Sequence, residues 1–309
     1  MIIFKQNLFI IILLCFFTPA VISSCSLLDT TPAKVPAYLY VQKLGFTTMN
    51  TGTVVQGDPS SKFVDVWMYD NGNALGNIGL PAIIPDPKNG LTEIEFDAGI
   101  MKSGQDEDRV PYPFTSRVTF PNTLLSPNKT DTFNPVFKYL PETRFEINEG
   151  FETLGSSMAF SYDTAHNTKG VIISKVKDSI NLIPSIVLGK YSGKIVMPSN
   201  SQFRILSSEF LKETLEPSLG TPVYLEIDYK SDLPIDIEMW AFDQNGSNLI
   251  QLPQLLTNPT SYWNKVYICL DQDIINKNPG TLFQITISLY NGSDVNQTTF
   301  LDNIKLVHF

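Results

Sequence analysis

The chain has 309 residues, a formal net charge of −9 and no visible basic cluster, which together argue against a nucleic-acid-binding protein. Hydrophobic residues make up 43% of the sequence, which is enough for the core of one large or two ordinary domains and excludes a disordered chain. Only two histidines are present, and no G-x-S-x-G, H-E-x-x-H or phosphate-binding glycine loop occurs. The composition therefore favours a binding or structural protein over an enzyme.

The N-terminus has the parts of a secretory signal. Lys5 supplies a positive charge, residues 8–17 form an uninterrupted apolar run, and Thr18-Pro19-Ala20 ends it. This run is too short to span a bilayer, which needs about 20 apolar residues, and its length is typical of a signal peptide. The next segment is Val21-Ile22-Ser23-Ser24-Cys25, in which an aliphatic residue and small residues precede a cysteine.

This segment resembles the lipobox of bacterial lipoproteins, in which the cysteine is fatty-acylated. The resemblance implies that residues 1–24 are removed and that Cys25 anchors the mature chain in the outer membrane. Residues 25–36 would form a tether rich in threonine and proline, as in lipoproteins of the Bacteroidetes. In that group an acidic run after the cysteine accompanies surface display, and here it is reduced to Asp29. The sequence therefore does not decide between display on the periplasmic and on the extracellular side of the outer membrane. An uncleaved N-terminal anchor helix is the alternative.

Beyond residue 25 the chain shows almost no helical periodicity. Turn signals recur instead, among them Asn71-Gly72, Asn89-Gly90, Asn245-Gly246 and Asn291-Gly292, and they separate short alternating stretches rich in β-branched and aromatic residues. This pattern predicts an all-β chain, which we divide into two β-sandwich domains, residues 37–145 and residues 146–309.

The first domain is predicted to contain strands at 38–40, 63–70, 75–76, 80–85, 91–97, 110–114 and 117–120. Trp67 lies in an apolar run and is interpreted as a core residue, whereas the acidic run 106–108 is interpreted as a solvated hairpin tip. From Val64 to Phe114 the pattern resembles the small immunoglobulin-like or PEGA-like β-sandwich of surface lipoproteins. That resemblance implies a spacer or scaffold.

The second domain is predicted to contain about eight strands, at 170–174, 185–188, 192–197, 223–229, 235–242, 265–270, 282–290 and 300–309. Residues 208–214 are predicted to form a helical turn. In the strand 223–229, apolar residues at odd positions alternate with Tyr224, Glu226 and Asp228, which should lie on the opposite face. Cys269 has no partner for a disulfide and is interpreted as a small buried residue.

Three segments of this domain resemble galactose-binding-like jelly rolls and carbohydrate-binding modules. They are the opening Asn148-Glu149-Gly150-Phe151-Glu152, the strand start Tyr262-Trp263-Asn264-Lys265 and the closing strand 301–306. In that family a structural calcium often lies between the first and last strands. By position the resemblance implies carboxylates from Glu152 and Asp302 and a backbone carbonyl from Gly150. The alternative is that both carboxylates only form hydrogen bonds with the ends of strands.

Many members of that family bind glycans through exposed aromatic side chains, because the apolar C–H faces of sugars stack on aromatic rings. The candidates in this chain are Trp240, Trp263, Tyr191 and Tyr290. Trp240 alternates with Ile237 and Met239, which places it on the polar side of its strand and makes it the best single candidate.

The leading hypothesis is a non-catalytic, membrane-anchored lipoprotein that binds a glycan or another extracellular polymer through the jelly roll. One alternative is a structural subunit docked to an outer-membrane transport or secretion complex. Another is a glycoside-active enzyme with unrecognised carboxylates, since acidic residues are scattered along the chain. An exposed aromatic surface would favour the first hypothesis, a flat apolar patch the second, and a deep cleft with two facing carboxylates the third.

Overall fold

A computed structural model describes residues 34–51, 54–152, 159–177, 191–208, 211 and 221–309. The predicted signal peptide, Cys25, most of the tether, the strand predicted at 185–188 and most of the helical turn predicted at 208–214 lie outside these residues. The described part is all-β, as the sequence predicts, and includes one short helix, α1 (Asp271–Ile275). No helix within it is long and apolar enough to cross a membrane.

Strands β1–β12 form the first domain. Their bounds are β1 (Ala37–Val41), β2 (Gly45–Thr47), β3 (Asn50–Thr51), β4 (Val54–Val55), β5 (Asp65–Asp70), β6 (Asn73–Gly79), β7 (Ala82–Asp86), β8 (Gly90–Met101), β9 (Arg109–Pro111), β10 (Val118–Leu125), β11 (Thr130–Phe133) and β12 (Val136–Lys138). One sheet has the order β11-β1-β7, and a second has the order β10-β8-β5-β6 with β9 added to β8. Strand β2 pairs with β12, and β3 pairs with β4.

The two larger sheets of the first domain pack against each other. Leu39 of β1 and Ile84 of β7 share a core with Met68 of β5 and Phe96 of β8. The prediction that Trp67 belongs to this core is wrong, because its neighbours Val66 and Met68 point inward and the pleat turns Trp67 to the outer face, where it is half-buried. The acidic run 106–108 does lie at the exposed turn between β8 and β9.

Strands β13–β23 form the second domain. Their bounds are β13 (Arg144–Glu149), β14 (Phe160–Tyr162), β15 (Ile173–Lys177), β16 (Tyr191–Met197), β17 (Ser201–Ser207), β18 (Tyr224–Ser231), β19 (Ile235–Phe242), β20 (Ile250–Leu256), β21 (Thr260–Cys269), β22 (Leu282–Asn291) and β23 (Gln297–His308). Six strands, β15-β16-β23-β18-β21 with β13 beside β23, form what we call the docked sheet. Five strands, β14-β17-β22-β19-β20, form what we call the open sheet.

All strand pairs within these two sheets are antiparallel, and the sheets enclose one apolar core in a jelly-roll sandwich. Leu225 and Ile227 of β18 face Ile237 and Met239 of β19 within that core. The alternation predicted for residues 223–229 is therefore confirmed, and Glu226 lies on the other face of the docked sheet.

The outer face of the docked sheet packs on the first domain. Tyr224, Tyr267 and Val307 of the docked sheet belong to the same apolar core as the first domain. The backbone continues the contact, because the amide of Ser103 donates a hydrogen bond of 2.7 Å to the carbonyl of Tyr267. The first domain therefore covers part of the jelly roll with a buried interface, which the sequence-based interpretation as a spacer did not include.

Candidate functional site

The outward side of the open sheet, which we call the open face, carries polar and aromatic side chains on β17, β22, β19 and β20. Register places four of these in one row across the sheet: Arg204, Ser288, Asp236 and Leu256. Because successive side chains of a strand alternate, their neighbours Ile205, Ile287 and Ile237 point into the core. A regular sheet therefore fixes the spacing of the groups that line this surface.

A groove of about 400 Å³ runs along the open face. Tyr290 lines it and is 68% exposed, so its ring is available to a ligand. Polar groups from three elements line the same groove, contributed by Gln202, Asp236 and His166. The groove thus combines one exposed aromatic ring with several hydrogen-bonding groups, which is the composition of a site for a polar ligand with apolar faces.

Arg204 is held in the groove by three neighbours. Its Nε donates a hydrogen bond of 3.0 Å to Ser288 Oγ, and its Nη1 lies 3.5 Å from Asp163 Oδ2. Its guanidinium carbon lies 5.1 Å from the ring centroid of Trp240, a distance that permits a cation–π contact. Asp163 in turn lies 2.7 Å from His166 Nδ1. These contacts fix the orientation of Arg204 before any ligand binds.

Trp240 is on the open face, as its alternation predicts, but it is only 8% exposed. Its Nε1 donates a hydrogen bond of 2.7 Å to Glu238 Oε2, and Phe242 and Arg204 pack against the ring. Our prediction of Trp240 as the leading exposed aromatic is thereby corrected. The ring supports Arg204, and the exposed ring on this face belongs to Tyr290.

Acidic groups outnumber basic ones on this surface. Asp163, Asp236 and Glu238 lie on or beside the groove, and Arg204 is the cation that contacts one of them. Burial and the nearby Glu238 carboxylate raise the pKa of Asp236, against the attraction of Arg204. The three carboxylates and the one guanidinium give this surface a negative formal charge, which disfavours an anionic ligand there.

The two other predicted aromatic residues belong to the docked sheet. Trp263 is only 8% exposed and packs 6.3 Å from the ring of Phe300, which corrects the expectation of an exposed tryptophan. Tyr191 is half-buried, with the Nζ of Lys175 3.8 Å from its ring centroid. The structure therefore brings Trp240 and Tyr290 together on one face and leaves Trp263 and Tyr191 on the other sheet.

The predicted calcium ligands lie near one another. A Cβ built on Gly150 would be 3.9 Å from Glu152 Cγ and 4.0 Å from Asp302 Oδ1. One oxygen of each carboxylate already accepts a hydrogen bond from a backbone amide. Glu152 Oε1 accepts from the Tyr191 amide at 2.9 Å, and Asp302 Oδ1 accepts from the Asn303 amide at 2.7 Å. Within the described ranges no group of three His, Cys, Asp or Glu side chains is placed to hold a metal. A calcium site would thus need carbonyl oxygens such as that of Gly150, and it stays a prediction.

A cluster of titratable side chains that the sequence did not predict lies at the boundary between the domains. Lys265 Nζ lies 2.8 Å from Glu226 Oε2 and 3.3 Å from Asp228 Oδ1. Lys305 lies alongside and donates a hydrogen bond of 2.8 Å to the carbonyl of Asp58 in the first domain. The first domain also supplies hydroxyl donors to the two acids, from Tyr112, Tyr139 and Ser60.

These four charged side chains are buried at the boundary between the domains and shape that interface. Burial raises the pKa of Glu226, but Lys265 and Lys305 outweigh burial and hold that pKa below its usual value. Burial lowers the pKa of Lys265, but Asp228 and Glu226 outweigh it, so the lysine stays charged. For Lys305 burial prevails and lowers the pKa to about 8.

No protein-family model and no curated protein matches the chain. Solved structures of β-sandwich modules are similar to it at low identity. One, from work on the promiscuous specificity of carbohydrate-binding modules of the β-sandwich superfamily, is 12% identical and covers 78% of this chain and 84% of its own, with a TM-score of 0.39.

Two further similar structures are modules of polysaccharide-degrading enzymes. The CBM22-1 xylan-binding domain of Paenibacillus barcinonensis Xyn10C is 14% identical over 53% of this chain and 94% of its own, with a TM-score of 0.34. The family 11 carbohydrate-binding module of the Clostridium thermocellum cellulase Lic26A-Cel5E is 12% identical over 52% of this chain and 95% of its own, with a TM-score of 0.31. At these scores the ligands of those modules are not transferred to this chain.

Two residues of the open face escaped the sequence reasoning although a signal was present. Arg204 and Gln202 lie in Ser201–Ser207, where polar and apolar residues alternate directly after the turn at Pro198-Ser199-Asn200. That stretch is a strand by the same rule that identified its neighbours. Asp236 lies on the same side of its strand as Trp240, but its position in one row with Arg204 depends on pairing between strands that are distant in sequence.

Proposed function

We propose that this protein is a non-catalytic glycan-binding protein and that the open face is its binding surface. The observation that carries the proposal is the 68% exposed ring of Tyr290 in a groove of about 400 Å³ lined by polar side chains on a rigid sheet. A sugar ring stacks its C–H face on an aromatic ring, and its hydroxyls pair with groups such as Gln202, Arg204 and Asp236.

The charge of the open face favours a neutral sugar at that position. Asp163 and Asp236 flank a single well-paired arginine, so a uronate or sulfate placed over them would meet like charge. A neutral sugar meets no such repulsion, and its hydroxyls can accept hydrogen bonds from Arg204 and donate hydrogen bonds to the carboxylates.

The arrangement of the acids supports binding without hydrolysis. Glu238 accepts a hydrogen bond from Trp240 Nε1, and Asp163 is engaged by Arg204 and His166. Glycoside hydrolysis requires two carboxyl groups facing each other across the scissile bond. Here Asp236 and Glu238 lie side by side along one strand, on the same face of the sheet. Release of reducing ends from a bound polysaccharide would contradict this part of the proposal.

A polysaccharide panel in affinity electrophoresis tests the proposal. The soluble fragment 36–309 is run in gels containing paired neutral and acidic polymers: arabinoxylan and glucuronoxylan, galactan and polygalacturonate, hydroxyethyl-cellulose and carboxymethyl-cellulose. We expect retardation by at least one polymer, and a loss of at least tenfold in affinity for Tyr290→Ala. The matched control is Tyr262→Ala, because Tyr262 is 80% exposed but lies on the docked sheet. Equal losses for both variants, or no retardation by any polymer, would contradict the proposal.

We further propose that Cys25 is lipidated and that the protein is held at the outer membrane. The support is the lipobox resemblance at residues 21–25 and the apolar run before it. Intact-mass measurement of the purified full-length chain should show loss of residues 1–24 and addition of acyl chains at Cys25. The Cys25→Ala variant should lose both changes and move from the detergent phase to the aqueous phase. An unchanged partition would favour the uncleaved anchor helix.

A second candidate function is that of an accessory subunit of an outer-membrane complex. The observation in its favour is an apolar pair on the first domain: Leu91 of β8 faces Leu124 of β10 in the register, and both are largely exposed. The test is chemical cross-linking in intact cells with wild type and with Leu91→Glu/Leu124→Glu. A defined cross-linked product that the double variant loses, together with a blank polysaccharide panel, would favour this function over glycan binding.

A further inference from the structure

A second cavity, of about 250 Å³, lies where the two domains meet. The first domain contributes Lys62 and Met101 to its lining, and the second contributes Tyr229, Asn258 and Asn264. We call this cavity the domain cleft. It is polar along the second domain, where Asn264 Nδ2 donates a hydrogen bond of 3.0 Å to the Tyr229 hydroxyl. The cleft exists only because the domains are docked.

One residue lines both the domain cleft and the groove on the open face. Leu256 ends β20, is 66% exposed, and follows Arg204, Ser288 and Asp236 in their row across the open sheet. The two cavities are therefore neighbours with an apolar ridge between them. A chain of sugars that stacks on Tyr290 can continue over Leu256, because the exposed leucine offers an apolar contact to the C–H face of a sugar.

Lys62 gives the domain cleft a positive charge that is not paired with a carboxylate, unlike Arg204 on the open face. Its Nζ donates a hydrogen bond of 2.7 Å to Asn264 Oδ1, and it forms no ion pair with any residue in the described ranges. Its backbone amide donates to the Tyr267 hydroxyl at 2.9 Å, which fixes the segment that carries it. The other lysine of the cleft, Lys265, is neutralised by Glu226 and Asp228. Lys62 is thus a positioned cation without an acidic partner.

We propose that a glycan bound to the open face extends across Leu256 into the domain cleft and places a sugar carboxylate against Lys62. This inference rests on the proposed function and adds to it a ligand class, a glycan with neutral and uronic-acid sugars. The negative open face takes the neutral part, and Lys62 takes the acidic one. The first domain then takes part in recognition, through the side chain that completes the cleft.

The test uses the same polymer pairs. We expect the fragment 36–309 to bind the acidic member of a pair more tightly than the neutral member. Lys62→Gln should weaken binding of the acidic polymer at least fivefold and leave the neutral polymer unchanged, whereas Lys62→Arg should retain binding. The matched control is Lys194→Gln, which removes a lysine beside Phe300 on the docked sheet. Leu256→Asp should weaken the binding of both polymers, because it places a charge on the path between the cavities.

The outcomes separate this inference from the proposed function. Binding that depends on Tyr290 but is unchanged in Lys62→Gln, or that favours the neutral member of every pair, overturns the inference and leaves the proposed function standing. Absence of binding to every polymer overturns both. A melting temperature of Lys62→Gln equal to that of the wild type shows that a lost affinity comes from the missing charge and not from separation of the domains.

Discussion

The hydroxyl of Tyr139 donates a hydrogen bond of 2.9 Å to Oε1 of Glu226 and so joins the first domain to a carboxylate of the second. Tyr112, also of the first domain, donates to the same oxygen. Lys265 pairs with the other oxygen of that carboxylate, so its acceptors are divided between the two domains. Because a buried ion pair is tolerated only when its remaining hydrogen bonds are made, each domain depends on the other for a stable interface.

We therefore predict that the two domains unfold in one transition. Tyr139→Phe removes one donor to Glu226 and should lower the free energy of unfolding by about 1–3 kcal/mol, because a buried acceptor loses a partner. Tyr262→Phe, on an exposed side chain, should change it by less than about 0.5 kcal/mol. Urea denaturation, monitored by tryptophan fluorescence, measures the free energy of unfolding of each variant. Trp67 reports on the first domain and Trp240 on the second. Two separate transitions in the wild type would contradict this prediction.

A second prediction concerns pH. Burial lowers the pKa of Lys305 to about 8, whereas the ordinary lysine value is 10.5. Between these values the unfolded chain binds a proton that the folded chain has released, so the free energy of unfolding rises with pH, by up to about 3 kcal/mol. Above pH 10 the trend reverses, because burial and Glu226 raise the pKa values of Tyr112 and Tyr139 and keep both protonated only in the folded chain.

Melting temperatures from pH 7 to pH 11 test this expectation. The wild type should melt at the highest temperature near pH 10, and Lys305→Met should lose the rise above pH 8 while it keeps the fall above pH 10. Lys194→Met is a control for the removal of a lysine from the same sheet. A flat profile between pH 8 and pH 10 in the wild type would mean that Lys305 is not held at a lowered pKa.

A third prediction concerns the position of the Tyr290 ring. A Cβ added at Gly292 would lie 3.0 Å from Tyr290 Cε1, which is closer than ordinary contact. Gly292→Ala should therefore displace this exposed ring and lower the affinity for the retarding polysaccharide several-fold, with little loss of stability. Gly79→Ala is the control, because a Cβ there meets nothing nearer than 3.9 Å. Unchanged affinity in Gly292→Ala would show that the ligand does not depend on where this ring lies.

A fourth prediction concerns calcium. If Glu152, Asp302 and the Gly150 carbonyl hold an ion between the first and last strands of the jelly roll, calcium at about 100 times its dissociation constant adds about 2.7 kcal/mol of stability. We expect the melting temperature to rise with calcium, to fall with EDTA, and to respond to neither in Asp302→Asn. If titration calorimetry shows no heat of calcium binding and calcium leaves the melting temperature of the wild type unchanged, the predicted calcium site is contradicted.

Local patterns in the sequence were sufficient for many strands and for the two sides of β18 and β19, but they misplaced Trp67 of β5. The alternation in β18 and β19 placed Ile227 in the core and Trp240 outside it, and both positions are confirmed. Exposure was not predictable, because the cover over Trp240 comes from Arg204 on another strand. Parallel pairing of β1 with β11 was missed for a related reason: the partners are distant in sequence, and neither strand carries a local sign of the other.

The domain cleft could not be predicted from the sequence. Lys62 lies between predicted elements and has no pattern of its own, and its partner Asn264 is 202 positions away in the sequence. Glu226 and Asp228 were assigned to the correct face of their strand, but a polar face is ordinarily exposed to water. That this face is covered depends on complementary tyrosines from the first domain, and a single sequence does not show that complementarity.

Docking of the first domain on the jelly roll also limits how many glycan chains the proposed function would allow. The side chains of Glu226 and Asp228 are buried under the first domain, so this part of the docked sheet cannot serve as a second platform. The open face and the domain cleft meet at Leu256, so under the proposed function they would bind one continuous glycan chain. On the proposed function, such a protein would be a monovalent receptor, which would retain a polymer strand without cross-linking it to another.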